Sequence, residues 1–132
     1  MVVGELFREN TRAFRWTERG GFTDLGSLAS DDSIYQFTTA RGINDWGYIV
    51  GASQVDSGEN HAFVWHQRGG MRDLQEMVDA SSSLAATTRL VVGKAINDRG
   101  FIVADGFDTA REPDAVRSYL LSPRFRGQAP CE

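Results

Sequence analysis

Short segments rich in Val, Ile, Phe, Tyr, Trp and Thr recur along the chain, separated by clusters of Gly, Asp, Asn and Ser. That is the pattern of strands bounded by turns. In the middle of the chain it predicts four strands, a to d in order: "FTTARGI" (37–43), "YIVGASQ" (48–54), "HAFVWHQ" (61–67) and "MRDLQEMV" (71–78). The last of these has an apolar spacing that also suits a helix over 71–80. Its counterpart "FTDLGSLA" (22–29) holds Thr, Gly and Ser, which favours a strand. Alternation puts Phe63 and Trp65 on one side of strand c, with Ala62 and Val64 on the other. In strand b, Tyr48 and Val50 share a side and Ile49 takes the opposite one. With both faces apolar, these strands are expected to be covered on both sides.

The pattern repeats. "INDWGYIVG" (43–51) returns as "INDRGFIVA" (96–104), with six of nine positions identical and an offset of 53 residues. "RAFRWTERGGFTDLG" (12–26) matches "HAFVWHQRGGMRDLQ" (61–75) at an offset of 49. A decayed copy of the second motif stands at "RSYLLSP" (117–123), and "VVG" (2–4) echoes "IVG" (49–51). The chain therefore divides into a partial unit over 1–28, a full unit over 29–78 and a partial unit over 79–123, followed by a tail over 124–132. Asn-Asp-x-Gly between two extended runs is a hairpin turn. Asn and Asp bond their own backbone there, and Gly accepts positive φ. Asp45 and Asp98 are accordingly read as scaffolding rather than chemistry. Trp16 and Trp65 are expected in equivalent buried positions.

Short four-stranded antiparallel sheets, apolar on both faces and stacked around an axis, are the blades of a β-propeller. The expected fold is all-β, with about two and a half to three blades in the chain. Its first unit begins at strand b and its last stops after strand c. Propellers close with roughly four to eight blades. The expectation is therefore a homo-oligomer, a dimer that completes the ring, or else a segment of a longer propeller.

At these residues the chain resembles the HAF repeat family of extracellular bacterial proteins. That family's pattern runs Ala-Phe-Leu-Trp, then Gly-x-Met-x-Asp-Leu-Gly, then Ile-Asn-Asp-x-Gly-x-Val-Val-Gly. The resemblance covers residues 2–26, 40–75 and 93–123. "HAFVW" (61–65) carries the His-Ala-Phe triplet intact, Arg12 stands in place of the His in the first unit, and "RSYLLSP" departs further. What the resemblance implies is a propeller-like, extracellular protein with no catalytic residues to carry over. The N-terminal stretch "MVVGELFREN" lacks the basic region and apolar core of a signal peptide.

Charge narrows the partners. The net charge is −4, and the 14 basic residues are scattered, with Lys94 the only lysine. A phosphate backbone needs a basic face, so nucleic acid is excluded. No apolar run approaches the roughly 18 residues of a membrane span. Cys131, the single cysteine, lies in the tail and excludes an intramolecular disulfide. It is a solvated thiol or a link between chains.

Candidate chemistry is sparse. His61 and His66 flank strand c on opposite faces and should not share a metal, and no zinc spacing is present. There is no Gly-x-Ser-x-Gly elbow or phosphate loop. "SSS" at 81–83 is loop composition, "DSGEN" lacks the spacing of a calcium loop, and no cofactor is implied. The loops carry more information. The a–b and c–d turns are short and alike between units. The d–a loops (28–40, 78–90) and b–c loops (53–61, 105–117) are long, differ between units and should emerge on one face. Variable loops on a rigid scaffold are where binding residues sit. The expected ligand-binding set is Asp31, Asp32, Tyr35, Gln54, Asp56, Glu59, Asn60, His61, Asp108, Arg111 and Glu112, with Asp114 nearby. It fits a non-enzymatic module that recognises a polar ligand such as a glycan, or a protein partner. The competing readings are an enzyme with an acidic and aromatic site at the propeller mouth, and a purely structural repeat with solvated loops.

Overall fold

The computed structural model describes residues 1–6, 11–78 and 86–123, and Glu112 and Pro113 by their backbone alone. Cys131 and the serine run at 81–83 lie outside the described residues. Among the described residues ten strands follow one another: β1 (Val2–Leu6), β2 (Arg12–Thr17), β3 (Gly21–Asp24), β4 (Thr38–Ile43), β5 (Ile49–Gln54), β6 (Asn60–His66), β7 (Gly70–Asp73), β8 (Thr88–Ile96), β9 (Ile102–Asp108) and β10 (Glu112–Leu121). They form three antiparallel sheets, ordered β1-β2-β3, β4-β5-β6-β7 and β8-β9-β10. The fold is all-β, as the alternating pattern predicts.

Strand d is shorter than expected. β7 stops at Asp73, and a single 3-10 turn covers Leu74–Met77. The cause is local. The Asp73 carboxylate accepts the Gln75 N–H at 2.9 Å, which caps the turn and swings Leu74 into the core. In the first sheet, Asp24 accepts the Gly26 N–H at 2.8 Å and ends β3 without a helical turn. The repeated Asp-Leu pair is thus a strand stop followed by a core anchor.

Register makes the three sheets equivalent strand for strand. Ile49 and Gly51 pair with Trp65 and Phe63 in the middle sheet. Val2 and Gly4 pair with Trp16 and Phe14 in the first, and Ile102 and Ala104 with Leu121 and Tyr119 in the third. Every sheet therefore has two named faces. The front carries the positions of Ile49, Phe63 and Trp65, and the back carries those of Val50, Ala62 and Val64.

Both faces of the middle sheet are covered, as its apolar pattern requires. Its front packs on Ala13 and Leu25 of the first sheet, with Val3, Leu28 and Met71 around them. Its back packs on Leu90, Ile102 and Ala104 of the third. Each fully buried Val, Ile or Phe here contributes about 1.5–3 kcal/mol. β4 and β8 approach closely, since a Cβ added at Gly42 would stand 3.1 Å from the Ala95 Cα.

One expectation fails. Trp65 is buried, with the Arg15 guanidinium 5.1 Å above its ring, but Trp16 is 36% exposed. The two tryptophans hold the same register position. The front of the middle sheet meets the first sheet, whereas the front of the first sheet is open at Val2, Trp16 and Phe22.

Candidate functional site

The two ends of the sheet stack differ in kind. At one end lie the Asn-Asp-x-Gly turns. Asn44 Oδ1 accepts the N–H groups of Trp46 and Tyr48 at 3.0 and 2.9 Å. Asn97 Oδ1 does the same for Arg99 and Phe101, at 3.0 Å each. Gly47 and Gly100 hold φ of 84° and 86°, which a side chain would strain.

The turns also bond to each other. Asn44 Nδ2 donates to the Asn97 carbonyl at 3.1 Å, the Asp45 N–H donates to Asp98 Oδ1 at 2.8 Å, and Trp46 Nε1 donates to the Asp98 carbonyl at 3.0 Å. The hydrogen bond to Asp98 and the repulsion of its charge raise the Asp45 carboxyl above its ordinary pKa. His66, at the far flank of strand c from His61, belongs to this end. Its Nε2 lies 3.2 Å from the Trp46 carbonyl, and its ring tilts over Tyr48 at 4.3 Å.

At the other end the b–c loop of the middle sheet (55–59) runs between the long loop after β3 and the third sheet. Several residues expected to bind ligand are occupied in building it. Asp56 accepts both the N–H and the hydroxyl of Ser30 at 2.8 Å each, and these bonds lower its pKa. Gln54 accepts the Phe37 N–H at 3.1 Å and donates to the Gly58 carbonyl at 3.3 Å. The Tyr35 ring closes over Gly58, so a Cβ there would stand 3.1 Å from it. Asp108 is buried, accepts the Ala110 N–H at 3.1 Å and shapes the β9–β10 turn. Asp31, Asp32, Arg111 and Asp114 are exposed and do not line the cleft described next, and the backbone of Glu112 pairs with Asp108.

What this end does assemble is a cleft of about 440 Å³ between the middle and third sheets, lined by Gly58, Glu59, Asn60, Arg89, Val91, Phe107 and Thr109. Glu59 Oε2 lies 3.7 Å from Arg89 Nη1 and 3.9 Å from His61 Nε2. His61 Nδ1 in turn lies 2.7 Å from Asp73 Oδ2. Polar groups thus run in a line Arg89, Glu59, His61, Asp73. Glu59, Asn60 and His61 are all in the predicted set; the first two line the cleft, and His61 reaches it only through Glu59. Arg89, Phe107 and Thr109 are not in that set, because only the register between sheets brings them to the b–c loop.

The same geometry explains a substitution between units. Arg12 occupies the place of His61, and Asp24 that of Asp73. The Arg12 guanidinium donates to both Asp24 carboxylate oxygens, at 3.2 and 3.1 Å. Both units keep a cation-capable side chain on the strand-stopping aspartate.

Among the described residues, no group of three or more His, Cys, Asp and Glu could hold a metal ion. No helix among them is long and apolar enough to cross a membrane. None of the family models, curated proteins or solved structures compared with the chain matches it.

Proposed function

We propose that the chain is a non-enzymatic binding module of the HAF repeat type, three successive blades of a β-propeller, acting outside the cell and as more than one chain. Its ligand is an uncharged polyhydroxyl compound, of the glycan class, taken in the cleft between the middle and third sheets. The observation that carries this reading is the lining of that cleft. The Glu59 carboxylate accepts hydrogen bonds, the Arg89 guanidinium donates them, the Asn60 amide does both, and Phe107 offers apolar surface to a sugar ring. The charges of Glu59 and Arg89 balance, which favours a neutral ligand over an ion. Their ion pair is half-exposed and long, so it contributes only about 0–1 kcal/mol and leaves both groups available.

A glycan array followed by calorimetry tests this. At least one neutral oligosaccharide should bind, and Glu59→Ala or Arg89→Ala should weaken it about tenfold or more. Asp31→Ala should leave binding unchanged. Binding indifferent to Glu59 and Arg89, or no glycan bound at all, overturns the reading and leaves a structural repeat.

A further inference from the structure

The two outermost sheet faces are of opposite kinds. On the front of the first sheet, Val2 is 53% exposed and Trp16 36%, while their equivalents Ile49 and Trp65 in the middle sheet are 0% and 6% exposed. Phe22, in the place of Met71, is 66% exposed beside its cross-strand partner Trp16, with its ring 5.1 Å from that of Phe14 in an edge-on arrangement. On the back of the third sheet, Val103 is 38% exposed and Leu120 69%, while their equivalents Val50 and Val64 are 0% and 7%. A front without a back is thus open at one end of the stack, and a back without a front at the other.

The chain already contains this contact twice, since the back of the first sheet takes the front of the second and the back of the second takes the front of the third. In the first of these, bulky Phe63 and Trp65 seat against Ala13 and Leu25. A front laid on a front would set Trp16 against Trp16, with the space over Gly4 already filled by the Phe14 ring. A front laid on a back repeats a packing whose register is fixed by the same residue positions. The open back has the small Ser118 in the place of Ala62, beside Val103 and Leu120. On that face Asp105 accepts the Ser118 hydroxyl at 2.7 Å and lies 3.3 Å from Lys94 Nζ, so these groups have partners within the chain.

We infer that a second copy of this chain docks its first sheet, through Val2, Phe14, Trp16 and Phe22, onto the outer face of the third sheet at Val103, Ser118 and Leu120, continuing the stack from one molecule to the next. The contact is head-to-tail, so it joins chains in a closed ring or an open series rather than a face-to-face pair. It rests on the reading of the sheets as successive blades and not on the ligand assigned to the cleft, which lies within one chain.

Sedimentation velocity on the full chain at about 100 μM reads the association directly. Wild type should run as a multiple of the 14.6 kDa chain mass. Trp16→Glu and Leu120→Lys, each at an exposed position, should each run at 14.6 kDa. Each variant keeps one intact face, so mixing the two should restore a one-to-one pair joined by the third sheet of the first variant and the first sheet of the second. Circular dichroism checks that each variant keeps its strand spectrum, with Phe22→Glu and Val103→Lys as replacements should either unfold. A wild-type chain at 14.6 kDa, an assembly that survives both substitutions, or dissociated variants that fail to pair on mixing would each overturn the inference. Glycan binding by the dissociated Trp16→Glu chain reads the cleft separately.

Discussion

Phe63 and Trp65 in the middle sheet hold the same cross-strand register as Phe14 and Trp16 in the first sheet, although Val64 stands between the one pair and Arg15 between the other. One pair lies at the centre of a packed interface and the other borders an open face. The back positions show the same division, for Val64 is covered and Leu120 is not. The same aromatic pair at the same register therefore acquires different energetic weight from what packs against it. In a stacked array, stability is a sum of terms within units and terms between adjacent units. The middle sheet has two interfaces, and each flanking sheet has one.

The sharpest break of this comparison is a pair of truncations. Trp65→Ala should cost about 3–5 kcal/mol, the range for a buried aromatic cut back to Ala. Trp16→Ala, measured by denaturant melts on the dissociated Leu120→Lys chain, should cost about 1 kcal/mol or less. Equal losses would mean that the first sheet is covered after all.

The turns allow a finer test. Asn44 is buried, holds two N–H groups of its own turn and donates to the next one. The Asn97 side chain, among the bonds described, makes only the two within its own turn. Asn44→Ala should cost about 2–3 kcal/mol and Asn97→Ala about 1–2 kcal/mol, the usual range when caps and buried donors lose their partners. If chemical melts show Asn97 to be the more costly loss, the direction of the turn-to-turn bonding is misassigned.

The smallest effects come from two carboxyl groups at opposite ends. Asp56 has a lowered pKa from its bonds to Ser30, so its contribution is present above the ordinary carboxylate range. That contribution fades as pH falls through its folded value. Asp45 has a raised pKa beside Asp98. Its contribution is present below the ordinary range and fades as pH rises through its folded value. A carboxyl NMR titration from neutral to acid should therefore see Asp45 take its proton before Asp56. The reverse order would contradict the geometry at one end or the other.

Most of the scaffold was legible in local sequence. Alternation through 61–65 fixes which side chains face which neighbour, and Asn-Asp-x-Gly specifies turns whose Asn and Gly do what their chemistry demands. Three things were not legible, for different reasons. The stop at Asp73 depends on a carboxylate folding back onto Gln75, a short-range bond that the strand pattern masks. The exposure of Trp16 depends on what lies beyond the first sheet, and no residue of its own strand encodes that. The cleft joins Glu59 and Asn60 to Arg89, Phe107 and Thr109, and only the offset between adjacent sheets makes them neighbours. The loops were legible as the variable end, but two of their acidic residues, Asp56 and Asp108, hold the loops in shape.

The bonding between the Asn-Asp turns has a polarity. Amide, backbone and indole donors on the earlier turn all point to acceptors on the later one. A gene segment duplicated in tandem between the second and third units would meet acceptors ahead of it and donors behind it, with no compensating change in either neighbour. The array can thus lengthen by whole copies and in one orientation only, which is how a lineage could vary the number of its units while leaving the fold of each one untouched.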